Sequence, residues 1–137
     1  KNRTPVIDGE LRELLFGHML EHSRRNGIFI DRINGGSDHV HALVSLGTDQ
    51  SIARVIQSLK GSSTCWMNLS GLRPFRFGWQ KDYFAVSVSE SQVDKVRDYI
   101  DRQVEHHRRK SFMEEYEEFI EKCGFRRLPD GKIERRE

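Results

Sequence analysis

His39-Val40-His41-Ala42-Leu43-Val44-Ser45-Leu46 is the stretch on which the fold turns. Successive side chains on a β-strand point to opposite faces. Val40, Ala42, Val44 and Leu46 therefore make one wholly apolar face, and His39, His41, Leu43 and Ser45 share the other. The alternation predicts a strand. Its mixed face carries two imidazoles roughly 7 Å apart at the backbone, a spacing that suits one shared metal ion. The same pair is equally at home as two ordinary polar residues on a half-exposed strand. Asp38, just before, either orients a ligand or caps the turn.

Outward from this strand, Asn34-Gly35-Gly36-Ser37 reads as a turn, and Ile28-Phe29-Ile30 before it as a short β-type run released by Gly27. Upstream, Asp8 is a candidate N-cap for a helix carrying Leu11, Leu14, Leu15, Met19 and Leu20 at helical spacing. Downstream, Ser51 caps a helix with Ile52, Val55, Ile56 and Leu59 that runs toward Leu69, with Gly61 weakening its middle. Gly71 to Gly78 is a basic and aromatic loop, and Tyr83 to Val88 reads as a further strand. Gln92 to Lys110 is helical, a shorter helix follows from about Phe112 to Lys122, and residues 126–137 form a polar tail. The order is helix, strand, strand, helix, strand, helix, helix. One more strand ahead of Lys1 would complete a β-α-β-β-α-β arrangement, an α+β, ferredoxin-like antiparallel sheet with helices packed on it. The whole of residues 1–137 reads as a single domain.

Composition bounds the chemistry. The 137 residues are 36% hydrophobic and 32% charged, with a net charge of +2; this is a globular composition, neither disordered nor fibrous. No apolar run approaches the ~20 residues that span a bilayer, and no secretory signal opens the chain. Cys65 and Cys123, far apart, read as free thiols of a reducing cytoplasm. Basic clusters recur at Arg24-Arg25, Arg73 with Arg76, Arg108-Arg109-Lys110 and Arg126-Arg127, whereas acidic residues gather at Glu114-Glu115 and Glu117-Glu118. Such clusters permit phosphate binding but also describe solvated helix faces.

The helix from Gln92 carries one apolar stripe, Val93, Val96, Ile100 and Val104, and beside it a second of Tyr99, Gln103, His106 and Lys110. The second set is offset by four, three and four residues and stacks along one face. A phenol one turn from a carboxamide supplies a nucleophile and a neutral oxygen ligand in register. A boundary aromatic beside a solvated amide has the same spacing. Tyr83 and Tyr116 lack a ligand-type residue one turn away, and four glutamates around Tyr116 repel phosphate.

Asp38-His39-Val40-His41, with Tyr99-Ile100-Asp101-Arg102-Gln103 and then His106-His107, resembles the HUH-type single-tyrosine transposases, the small transposases of insertion sequences that move as single strands and their repeat-associated relatives. The likeness extends to Lys1-Asn2-Arg3, Leu59-Lys60-Gly61-Ser62-Ser63, Trp79-Gln80 with Tyr83, and Ser111-Phe112. The resemblance implies that His39, His41 and Gln103 bind a divalent metal, Mg2+ or Mn2+, and that Tyr99 attacks a phosphate of single-stranded DNA. It implies hairpin-containing substrates and a homodimer whose tyrosine helix can serve the partner's site. The family's first strand would precede Lys1. Lys60 near Ser62 and Ser63, Arg73 and Arg76 among Phe75, Phe77 and Trp79, and His106 are candidate DNA-binding or accessory residues. Buried aromatics with surface arginines account for the loop as well, and His107 reads as a core histidine. Two rivals stand beside the transposase reading: a nucleic-acid-binding module that has lost catalysis, and a replication-initiator-like nicking enzyme.

Overall fold

A computed structural model of the chain describes residues 9–36, 39–71, 76–80, 83–102, 112–130 and 132–135. The elements are α1 (Gly9–Arg25), β1 (Phe29–Gly35), β2 (Val40–Ser45), α2 (Ile52–Ser70), a 3-10 turn (Glu90–Gln92), α3 (Val93–Asp101), α4 (Phe112–Lys122), β3 (Phe125–Arg127) and β4 (Ile133–Arg135). β1 pairs with β2, and β3 with β4. Helices with short hairpins of this kind make an α+β fold. Two compact units emerge, residues 1–31 with 44–85 and residues 32–43 with 86–137.

In the first unit, α1 buries Leu11, Leu15, Phe16 and Met19 along one stripe. It stops because Gly27 takes a left-handed φ of 70°, which lets Ile28 N–H donate to the Ser23 carbonyl at 2.9 Å. That bond satisfies a carbonyl the helix end leaves over. α2 is capped by Ser51, whose hydroxyl accepts from Arg54 N–H. It packs Val55, Leu59, Ser63 and Met67, one turn apart, toward the core. Gly61 sits inside this helix without ending it, because the buried stripe on either side outweighs a propensity cost of about 1 kcal/mol.

The α1–α2 packing also carries polar rivets. His18 Nε2 meets Ser62 Oγ at 2.9 Å, His22 Nε2 meets Ser58 Oγ at 2.8 Å, and the His18 ring stacks on Trp66. Burial pushes the His18 imidazole below its ordinary value, with His22 and Arg25 adding to the effect and the Ser62 hydrogen bond opposing it. The folded chain thus binds this proton less readily than the unfolded chain. Its contribution is intact above the ordinary imidazole pKa of about 6.5 and is lost as pH falls through and below that value. Thermal melts are expected to show Tm falling between pH 7 and pH 5, and falling less in His18→Gln. An identical drop in both proteins would contradict this.

The segment 76–80 lies along α2. Asn68 accepts from Phe77 N–H at 2.7 Å and donates to the Phe77 carbonyl at 3.0 Å. Trp79 Nε1 donates to Ser63 Oγ at 2.7 Å, and Lys60 Nζ to the Gln80 carbonyl at 2.6 Å. Phe77 is buried, so this aromatic belongs to the core rather than to a stacking platform.

The second unit is built around Val96, Ile100 and Cys123, with Leu43, Val86, Val88, Phe119 and Phe125 packed against them. Full burial of each such side chain contributes about 1.5–3 kcal/mol over exposure. Cys123 is 1% exposed, and burial pushes its thiol up to about 11; Cys65 is exposed. At pH 8, a colorimetric thiol reagent is expected to titrate one cysteine in the native protein and two in urea, because the thiolate is the reactive form. Two fast native equivalents would show Cys123 to be accessible.

Two sequence expectations differ from the structure. Tyr83 to Val88 is not a strand: its exposure alternates residue by residue, but it joins no ladder among the described residues. Alternation records an extended backbone, whereas a strand also needs a partner that local sequence does not name. The polar tail is instead partly ordered as the antiparallel β3–β4 hairpin, with Phe125 opposite Arg135 and Arg127 opposite Ile133. Arg126 and Glu134 form a cross-strand ion pair, and Leu128-Pro129-Asp130-Gly131 is a turn signature between short β-type runs. The helix expected from Gln92 to Lys110 is seen as α3 as far as Asp101; residues 103–111 lie outside the described ones.

Candidate active site

β2 and the residue before it place His39 and His41 on one side of the chain, as a two-residue spacing requires. His39 is buried at 8% exposure. His41 is half-buried with its Nε2 shielded from solvent. Their ring centroids stand 4.9 Å apart at an interplanar angle of 72°. At that separation two neutral imidazoles can both reach one divalent ion, each ring nitrogen about 2 Å from it. Leu43, two residues on, turns into the core of this unit, while Ala42 is exposed. On the opposite, wholly apolar face of the octapeptide, Val40 and Val44 are half-buried.

The turn feeding His39 is tight. Gly36 N–H donates to the His39 carbonyl at 3.1 Å. A Cβ on Gly35 would overlap that same carbonyl oxygen and stand 2.9 Å from Val40 Cα. Gly35→Ala is expected to cost about 1–3 kcal/mol through this clash and to move His39 out of register with His41. Thermal unfolding and Mn2+ binding measure the two effects; a variant as stable as the parent with unchanged binding would refute it.

α3 brings the phenol. Val96, Tyr99 and Ile100 are its buried residues, an i, i+3, i+4 set on one face. Tyr99 thus shares the buried side with the apolar stripe and is 1% exposed. Its ring centroid lies 6.0 Å from that of His41, edge-on at 65°. The C-terminal end of α3 is tied to β1: Asn34 Nδ2 donates to the Asp101 carbonyl at 3.3 Å, and Arg32 Nε lies 3.5 Å from Asp101 Oδ2. The ion pair is half exposed and worth at most about 1 kcal/mol. The amide contact engages a terminal carbonyl that needs a donor.

α4 supplies a third ring that sequence reasoning passed over. Phe119 stacks on His41 with centroids 4.5 Å apart and planes at 23°, and lies 5.8 Å from Tyr99. Its position in an acid-rich helix hid it, although Phe119, Ile120 and Cys123 are apolar at i, i+1, i+4. Asn34 and Arg32 carried no signal beyond lying beside a turn.

His39, His41 and Tyr99 thus lie within one unit. Gln103, His106, Arg73 and Asp38 fall outside the described residues. Lys60 and Arg76 belong to the other unit, where with Thr64, Asn68 and Trp79 they line an open groove of about 780 Å³. Lys60 Nζ also lies 5.6 Å from the Tyr83 ring centroid, a cation–π distance. Among the described residues, no three or more His, Cys, Asp or Glu side chains cluster as a metal site. Two imidazoles alone make an incomplete ligand set for a divalent ion, and a carboxamide oxygen is a chemically suitable addition to them.

Comparison with known proteins gives three findings. The family described as "Transposase IS200 like" matches residues 1–103. The ISDra2 transposase TnpA of Deinococcus radiodurans is 29% identical over 108 residues, spanning 75% of this chain and 77% of its own length. A crystal structure of a candidate transposase from Deinococcus radiodurans R1 superposes with a TM-score of 0.56, covering 73% of this chain and 81% of that one at 24% identity. That last likeness speaks to the fold.

Proposed function

This chain belongs to the IS200-like transposase family of HUH single-tyrosine enzymes, and from that premise we propose that it cleaves and rejoins single-stranded, hairpin-bearing DNA through a 5′-phosphotyrosine on Tyr99. Membership makes its substrate DNA and its activity transposition. The observation that supports the finer reading is the meeting of His41 and Tyr99, a strand imidazole and a helix phenol with ring centroids 6.0 Å apart in one unit.

In this reading His39, His41 and Gln103 hold Mg2+ or Mn2+, which when bound offsets the charge that builds on the scissile phosphate. The Tyr99 oxygen attacks phosphorus and loses its proton to a water or a nearby base. The bond from phosphorus to the 3′ oxygen breaks, and that oxygen takes up a proton as a free 3′-hydroxyl. A tyrosine hydroxyl has an ordinary pKa of about 10, so its attack depends on such activation. Resealing reverses the step: a 3′-hydroxyl displaces Tyr99 from phosphorus, and no ATP is needed because the phosphodiester energy is kept in the tyrosine ester. Lys60, Arg73, Arg76 and His106 are assigned to DNA contacts, since cationic and hydrogen-bonding side chains suit a charged phosphate backbone. Residues 1–137 are read as one catalytic domain that works as a homodimer in the cytoplasm. No helix among the described residues is long and apolar enough to cross a membrane.

The near-complete burial of Tyr99 favours a second reading, a DNA-binding module without catalysis. Incubation with a hairpin-bearing single strand and Mg2+ or Mn2+ separates the two. Catalysis gives a protein–DNA adduct that survives denaturing electrophoresis and disappears when EDTA is present from the start. Tight binding with no adduct under either metal would establish the module.

A further inference from the structure

Tyr99 is 1% exposed, yet an attacking oxygen must come within about 3–3.5 Å of a phosphorus atom. No phosphate can approach so closely while the phenol is covered. Rings from two other elements contact that phenol's ring. His41 comes edge-on from β2. Phe119 comes tilted at 45° from α4, and also lies flat on His41 at 4.5 Å. His41 is spoken for as a ligand in the reading above. Phe119 has no such task, and it is only partly buried where Ile120 and Cys123 beside it are 1% exposed. Those two anchor the end of α4 in the core. Phe119 is half-buried, against the two rings and the Val96, Ile100 and Cys123 core, so it gives up less buried area on moving than its fully buried neighbours would.

We propose that Phe119 withholds the nucleophile: in this conformation its ring wedges against both His41 and Tyr99 and helps to keep the phenol covered, and attack on DNA requires that contact to open. The proposal rests on Tyr99 being the nucleophile only for its catalytic consequence; the covering of Tyr99 is tested without DNA. If the reactive conformation is a minor one, its population multiplies the observed rate, so a weakened wedge raises that rate.

The test uses N-acetylimidazole, which acetylates exposed phenols, followed by peptide mass spectrometry on the full chain. Tyr83 is 49% exposed and serves as the internal standard. In the parent protein Tyr99 is expected to be acetylated at least tenfold more slowly than Tyr83. Phe119→Leu, and Phe119→Met as a flexible filler should leucine destabilise the unit, are expected to raise Tyr99 acetylation severalfold toward the Tyr83 rate. Tyr83 acetylation and the far-ultraviolet circular dichroism stay unchanged. At saturating hairpin DNA, the single-turnover rate of adduct formation is expected to rise severalfold in the same variants. Equal labelling of Tyr99 and Tyr83 in the parent overturns the proposal, as does persistent protection of Tyr99 in both variants. A lower adduct rate despite an exposed Tyr99 overturns it too, since the ring would then serve the reactive geometry rather than withhold it. Absence of adduct in every protein, parent included, counts against the transposase chemistry and leaves the acetylation result to judge Phe119.

Discussion

Tyr99→Phe is expected to lower covalent adduct formation by at least about a thousandfold under the proposed mechanism, in which the phenol oxygen is the attacking atom. The variant isolates chemistry from structure. Tyr99 is 1% exposed and makes ring contacts with His41 and Phe119, all of which a phenylalanine ring can keep. Only the hydroxyl is lost. Stability is expected to change by no more than about 1.5 kcal/mol, the usual net worth of one hydrogen bond. Binding of a hairpin-bearing single strand, measured by anisotropy in EDTA, is expected to hold within a few-fold, since phosphate contacts reside in cations rather than in this phenol. Undiminished adduct in Tyr99→Phe would move the nucleophile to another residue, with Tyr83 and Tyr116 the next to be replaced.

The second large effect is expected at the paired imidazoles. His39→Ala and His41→Ala each remove one of the two nitrogen donors whose rings stand 4.9 Å apart. If the two imidazoles hold the metal as proposed, the Mn2+ concentration giving half-maximal adduct is expected to rise by about a hundredfold in each, the upper end of what losing a supporting group around a metal costs. The two variants differ in their side effects. His41 stacks on Phe119 and meets Tyr99 edge-on, so its removal also leaves a cavity beside Tyr99 and costs about 1–3 kcal/mol of stability. His39 meets His41 edge-on, so its loss is expected to fall more on metal dependence than on folding. Activity that depends on Mn2+ as in the parent, in either variant, would remove the histidines from the metal site.

Local sequence carried much of this. The His39–Leu46 alternation located β2, the Leu11–Met19 and Val55–Leu59 spacings located the two packed helices, and Gly27 marked the end of α1. Each signal is a periodicity or a stop that a segment expresses by itself. Elements defined by a partner were less legible. Tyr83 to Val88 alternates without joining a ladder, and the β3–β4 hairpin was hidden in a segment whose charge suggested a solvated tail. In that hairpin a cross-strand Arg126–Glu134 pair and the inward Phe125 order the charges.

The candidate site divides along the same line. Residue types and spacings made His39, His41 and Tyr99 candidates beside blander readings, and the resemblance to a known family singled them out. Which face each element buries is a property of neighbours far away in sequence. Only the tertiary structure turned Leu43 and His41 toward the second unit's packed side, left Ala42 exposed, drew Tyr99 into the buried stripe of α3, and set Phe119, 20 positions further along the chain, against both functional rings. A chain encodes period and chemistry residue by residue, whereas burial and access are decided by whatever surface happens to pack against it.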